Sequence, residues 1–265
     1  LASSAASDVY KRQEQANNPD KQKQSNAQAP LVKEGLRVIE GVPFITGAIF
    51  DCDGTLLDSL DAWRGIEGVL AHEAGVEVST EERALFTTFT IPEVATYFHE
   101  VYALGKNVSA VQDLINEYMM NYYRNEATLL PGVRAFLESC ARANVAMSVA
   151  SSSAPAYLEA GLTGTGIREY FSAVVSVDDV GASKREPRIF NYSRELIGTP
   201  KATTWGFEDS VYAMNTLHAA GYPVLGLYDE GEKITFTELQ NIADLSIRSF
   251  DEIRISSDGL FVSLL

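Results

Sequence analysis

Short apolar runs alternate with stretches of helical periodicity along this chain, and no other feature restricts its fold as tightly. The runs are FITGAIF (44–50), VAMSVA (145–150), AVVSV (173–177), TTWGF (203–207) and VLGLY (224–228), with DLSIRSF (244–250) as a short edge strand. Strands alternating with helices make a mainly parallel sheet covered by helices. The expected fold class is therefore α/β, a doubly wound, Rossmann-like parallel sheet. Four of the first five runs end directly on a polar residue: Asp51, Ser151, Asp178 and Glu208. Ligands of open parallel sheets bind beyond the carboxyl ends of the strands, so these residues are expected to converge.

Between the first run and the second lies far more chain than one crossover helix requires. Helical patterns at 61–74, 80–89, 92–103 and 109–126, broken by AGVEVST and LGKNVS, read as an inserted helical domain over residues 62–129. LLPGV (129–133) marks the return to the sheet. The sheet domain then comprises residues 42–61 and 130–250, followed by a C-terminal segment, 251–265. Residues 1–41 are expected to form a poorly ordered tail: the first thirty are rich in Gln, Asn, Ser and Ala and lack the apolar stretch of a secretory signal. Within them, SSAASDVYKRQ resembles translated sequencing-adaptor sequence.

A length of 265 residues with 46% hydrophobic composition suits one sizeable domain carrying an insertion. The formal charge of −15 opposes nucleic-acid backbones and anionic membranes, and no window clusters Lys and Arg as such partners require. Neither partner is expected, and no run is long enough to span a bilayer. A small anionic substrate needs local cations or a bound metal to reach such a chain. Cys52 and Cys140 form no disulfide framework or zinc spacing, and His72, His99 and His218 are scattered. A reducing, cytoplasmic setting and a monomer are expected.

The stretch FDCDGTLLDS (50–59) sets Asp51 and Asp53 one residue apart directly after a strand. In extended chain that spacing points both side chains to one side, and Gly54 permits a sharp turn close to a ligand. Such a pair is neutralised by a metal, shares a proton, or sits in water as an Asp-Gly turn with Asp58 or Ser59 capping the next helix. Cys52, between them, alternates toward the sheet packing and has no nearby histidine to activate it. The triple serine after the second run (151–153) suits a phosphate at a helix start, or a helix N-cap. Lys184 in ASKREPRIF reads by itself as an exposed loop lysine. Asp209 and Ser210, after Glu208, read by themselves as caps for the helix Val211–Ala220.

Taken together, these segments resemble the haloacid dehalogenase superfamily. FDCDGTLLDS matches its first motif, Ser151 its second, Lys184 with Pro187 its third, and Glu208 and Asp209 its fourth, in family order over most of residues 42–228. The resemblance weakens after residue 230. It implies that Asp51 is a nucleophile that becomes an aspartyl-phosphate, that Asp53 is the general acid and base, and that Lys184 orients Asp51 and shares the phosphate charge. It also implies phosphate binding by Gly54, Ser151 and Ser152. Magnesium is the implied cofactor, held by Asp51, Asp53 through its backbone carbonyl, Asp209 and Glu208. The insert at 62–129 corresponds to the helical cap of one branch.

The branch follows from what each chemistry needs. Dehalogenases of the family lack the second aspartate, so Asp53 implies phosphoryl transfer. Phosphonate hydrolases use a cap lysine, and this cap offers Lys106 alone. β-Phosphoglucomutases resemble DVGASKREPRIF and FEDS closely but carry a hinge histidine where this chain has Trp63. The reading is a phosphatase acting on a small phosphorylated metabolite such as a sugar phosphate, with the mutase and a catalytically inactive binding module as alternatives. Trp63, Arg64 and Arg83 are the cap residues expected to meet the substrate.

Overall fold

The computed structural model describes residues 36–42, 44–86, 89–231 and 234–264. All of these but Leu36 fall in one unit, Arg37–Leu265. The strands are β1 (Leu36–Val38), β2 (Gly47–Phe50), β3 (Ala146–Ser151), β4 (Ala173–Ser176), β5 (Thr204–Glu208), β6 (Val224–Leu227), β7 (Leu245–Ile247), β8 (Ile253–Ile255) and β9 (Phe261–Leu264). Between β2 and β3 run α1 (Leu60–Arg64), α2 (Ile66–Ala74), α3 (Thr80–Phe86), α4 (Ile91–Tyr102), α5 (Val108–Asn125) and α6 (Val133–Arg142). The later helices are α7 (Pro155–Gly164), α8 (Val177–Val180), α9 (Arg188–Ile197), α10 (Val211–Ala219) and α11 (Phe236–Ile242).

Six strands form one sheet in the order β4-β3-β2-β5-β6-β7, parallel throughout. Successive strand side chains face opposite ways, and both faces here are apolar. Ile49, Ala150 and Val175 pack against Ile189 and Phe190 of α9 and Met214 and Leu217 of α10. On the other face Phe50 stacks on Phe207 at 4.4 Å, and Phe136 of α6 and Phe250 extend the cluster. Each ring so buried stabilises the fold by about 1.5–3 kcal/mol. The chain passes from β2 to β3 and β4 on one side, then returns to β5 on the other. The carboxyl ends of β2, β3 and β5 therefore flank the switch point where such sheets bind ligands.

Three local expectations change. The run at 173–177 stops one residue early, because Ser176 caps α8 in a capping box with Asp179. Asp178 consequently lies exposed on α8 and does not join the other strand-end residues. The pattern at 61–74 breaks into α1 and α2 at Gly65, whose N–H donates to Asp61 O at 2.8 Å. Residues 251–264, to which the sequence assigned no element, form an antiparallel pair, with Ile253 opposite Ser263 and Ile255 opposite Phe261. The three-stranded order is β1-β9-β8. Phe261 anchors this pair on Trp205, with ring centroids 4.6 Å apart.

Thr90 and Glu93 start α4 as a capping box with Pro92 in its first turn, and Asn107 starts α5 by accepting from Ala110 N–H at 2.9 Å. Helix α5 packs on α4 and on α7, which ties the insert to the sheet domain. Within the expected tail, Leu36–Val38 form β1, while its residues 1–35, and residues 87–88 of the expected helix at 80–89, lie outside the described residues. Among the described residues no helix is long and apolar enough to cross a membrane.

Candidate active site

The parallel ladder brings the acidic residues together. Asp51 N–H donates to Phe207 O at 2.9 Å, one residue past the end of β2, which sets Asp51 beside Glu208 at the end of β5. Lys184 is only 3% exposed, against the habit of a loop lysine. Its Nζ donates to Glu208 Oε1 at 2.6 Å and to Asp51 Oδ1. Asp51, Glu208 and Asp209, all buried, each offer an oxygen within 4.8 Å of the others. Three carboxylates facing one ammonium leave the cluster short of positive charge. Burial, with Glu208 and Asp53, pushes the Asp51 carboxyl up to about 7 despite Lys184. Burial, Asp51 and Glu208 raise Asp209 likewise. Burial alone would lower Lys184, but the charges of Asp51 and Glu208 outweigh it and hold the ammonium protonated. A buried, oxygen-only cluster with excess negative charge fits a hard divalent cation.

Gly54 sits at φ +80°, and a Cβ there would lie 2.5 Å from Asp209 Oδ2. Only glycine lets the turn approach Asp209 so closely. Its own N–H is taken by Leu57 O at 2.9 Å, which corrects the expectation that this amide binds phosphate.

Asp53 lies beside the acidic cluster but turns its carboxylate elsewhere. Oδ1 accepts from Ser59 Oγ at 2.5 Å and from the Tyr123 hydroxyl, and Oδ2 accepts from Ser153 Oγ at 2.5 Å. Ser59 does stand at the N-cap of α1, yet its hydroxyl makes no cap bond and goes to Asp53. The triple serine does not cap α7 either, whose N-cap is Ala154. Ser151 Oγ accepts the Ser153 N–H at 3.1 Å, and Ser176 Oγ donates to Ser153 O at 2.8 Å, fixing that loop. Ser210, at the N-cap of α10, makes no side-chain cap; its N–H donates to Glu208 Oε2 at 3.2 Å.

A cavity of about 340 Å³ joins these groups: Asp51, Asp53, Ser151, Ser152, Lys184 and Asp209 line it from the sheet domain, Trp63 and Ile91 from the insert. Trp63 thus reaches the site, whereas Arg64 and Arg83 do not. Arg64 pairs with Asp61 at 3.3 Å and Asp229 at 3.0 Å, and Arg83 pairs with Glu67 at 2.6 Å beside a second cavity of about 540 Å³ that Phe86 and Phe89 also line. The Cys52 thiol is fully buried, and burial followed by Asp53 and Asp51 raises it well above its usual range. It remains a thiol and no nucleophile.

Tyr123 is a site residue that sequence reasoning passed over, and Ser153 was read only as part of the triple serine, without its bond to Asp53. The available signal for Tyr123 was its place on the buried stripe Val111, Ile115, Met119, Tyr123 of α5, because a buried phenol needs a hydrogen-bond partner.

Carboxylates, a buried lysine and hydroxyls thus converge at the switch point of a parallel sheet, where such folds place their active sites. A family model described as haloacid dehalogenase-like hydrolase matches residues 48–227, and the chain belongs to that family. It is 28% identical over 215 residues to a phosphoglycolate phosphatase of Yersinia pseudotuberculosis, covering 76% of this chain and 91% of that one. It is 28% identical over 178 residues to hexitol phosphatase B of Escherichia coli, covering 66% and 80%. The fold superposes with a TM-score of 0.61 on CbbY of Rhodobacter sphaeroides, crystallised with phosphate, at 22% identity over 78% of this chain and 95% of that one. A Thermotoga maritima structure provisionally assigned as a β-phosphoglucomutase gives 0.67 at 19% identity, over 77% and 94%.

Proposed function

We propose that this chain is a magnesium-dependent phosphatase that hydrolyses a small phosphorylated metabolite, such as a sugar phosphate, through an aspartyl-phosphate on Asp51. The observation that carries the reading is Lys184, buried between Asp51 and Glu208 at a cavity that Ser151 and Ser152 also line. An ammonium in that position orients Asp51, favours its ionised form against the effect of burial, and faces the charge of an arriving phosphoryl group. Asp51 attacks phosphorus, the bond from phosphorus to the substrate oxygen breaks, and Asp53 gives that oxygen its proton. A water molecule then attacks the phosphorus of the acyl phosphate, loses its proton to Asp53 and restores the Asp51 carboxylate. General acid and base help of this kind is worth about 10²–10⁴-fold in rate. Ser151 and Ser152 bind the phosphoryl oxygens. Asp51, Asp209, Glu208 and the Asp53 carbonyl would hold the magnesium ion, whose charge offsets that on the transferred group. The names of the two phosphatase relatives support a phosphate monoester as substrate.

The test is phosphate release from p-nitrophenyl phosphate and a panel of sugar and polyol phosphates, with and without magnesium, for wild type and Asp51→Asn. Magnesium-dependent release that disappears in the variant is expected. If no member releases phosphate while β-glucose 1-phosphate is converted to glucose 6-phosphate with a bisphosphate primer, the enzyme is a mutase. Silence in both assays would leave a binding module.

A further inference from the structure

Three separate parts of the chain hold the Asp53 carboxylate: Ser59 at the entry to the insert, Ser153 after β3, and Tyr123 on α5. Tyr123 is the contact that the insert alone provides. It is 1% exposed, and its oxygen also accepts from Trp63 Nε1 at 2.9 Å. An indole N–H can only donate, so the phenol's single hydrogen is directed to the carboxylate. Burial, and then the charge of Asp53, raise the Tyr123 phenol and keep it a donor. Its ring is fixed as firmly as its hydroxyl. It stacks on Tyr157 at 5.3 Å with 6° between planes, and Trp63 meets it edge-on at 6.5 Å. Gly161 of α7 makes the room, since a Cβ there would lie 2.8 Å from Tyr123 Cδ1. Tyr157 is itself anchored by donating to Asn116 Oδ1 at 2.6 Å.

We propose that Tyr123, backed by Trp63, is a positioning residue through which the helical insert sets the orientation of Asp53, so that proton delivery to the leaving alcohol depends on the insert. The χ2 torsion of an aspartate is broad, and each fixed donor narrows it. Ser59 and Ser153 hold Asp53 from the sheet side and the entry to the insert. Tyr123 makes the acid answer to the cap that covers the substrate. The inference rests on the phosphatase reading above.

Tyr123→Phe removes the hydroxyl and keeps the stacked ring. The measurement is kcat and KM for the best alkyl phosphate of the panel and for p-nitrophenyl phosphate, whose phenolate leaves without a proton. For the alkyl phosphate, kcat should fall about tenfold or more, part of the usual general-acid contribution, with KM nearly constant. The loss on p-nitrophenyl phosphate should be several-fold smaller. Trp63→Phe, which deletes the directing N–H, should give the same split at smaller amplitude, and it carries the test alone if Tyr123→Phe does not fold. Equal losses of kcat/KM on both substrates would overturn the proposal, since kcat/KM reports the step that releases the alcohol and not the shared hydrolysis step, as would a change confined to KM or no loss. A wild type without metal-dependent release on any substrate would instead overturn the phosphatase reading, and this inference with it.

Discussion

Asp51→Asn should do more than stop hydrolysis: it should make the metal-free protein more stable above neutral pH. The Asp51 carboxyl stands at about 7 instead of 3.8, raised first by burial and then by Glu208 and Asp53 against the pull of Lys184. A raised folded-state value means that the folded chain prefers the protonated form. That preference contributes fully below about pH 4 and is lost progressively as pH rises to about 7. Tenfold in proton affinity is worth about 1.4 kcal/mol, so the interval from 3.8 to about 7 corresponds to about 4 kcal/mol. Asparagine keeps the shape, offers Lys184 an oxygen and cannot ionise. At pH 8 in EDTA the variant should therefore exceed wild type by about 2–4 kcal/mol, and near pH 4 the two should coincide. Urea unfolding at pH 4, 6 and 8 reads this directly. Magnesium at pH 8 should narrow the gap, because a cation that binds the folded wild-type cluster stabilises it by mass action. A wild type as stable as the variant at pH 8 in EDTA would mean that the protein already compensates these carboxylates, and the metal reading of the cluster would fail.

Lys184→Met leaves Asp51 and Glu208 buried without their shared cation. Thermal and urea unfolding should register a loss of about 3–5 kcal/mol at pH 8, smaller at pH 5 where Asp51 takes up a proton, and hydrolysis should vanish. Arg83→Ala removes a half-exposed side chain paired with Glu67 outside the cavity of Asp51. Its stability should stay within about 0.5 kcal/mol and its kcat/KM within about twofold of wild type; a larger fall in kcat/KM would return this arginine to the substrate.

Where the signal is local, the amino-acid sequence by itself determined the answer. Each core strand announces itself as a short apolar run, and a strand's end is where side chains leave the packing. Asp51, Ser151 and Glu208 could therefore be placed at one edge of the sheet before their neighbours were known, although the same rule also put Asp178 there, which α8 carries away. Gly54 could likewise be assigned a tight turn, though not the Asp209 oxygen that a Cβ there would crowd. The choice among equivalent groups belonged to the tertiary structure. Nothing in SSS says that Ser153, and not Ser151 or Ser152, donates to Asp53, because the loop bonds to Ser151 Oγ and from Ser176 make that selection. Arg83 and Trp63 both looked like cap residues for a substrate, and only the tertiary structure sets Trp63 against Tyr123 and Tyr157 at the cavity and pairs Arg83 with Glu67. Tyr123 lies 70 residues from Asp53 along the chain, and their hydrogen bond exists because Gly161 lets the ring in. Secondary structure is written in the spacing of apolar residues, whereas a polar partner is chosen by which donors folding brings within reach after water has been excluded.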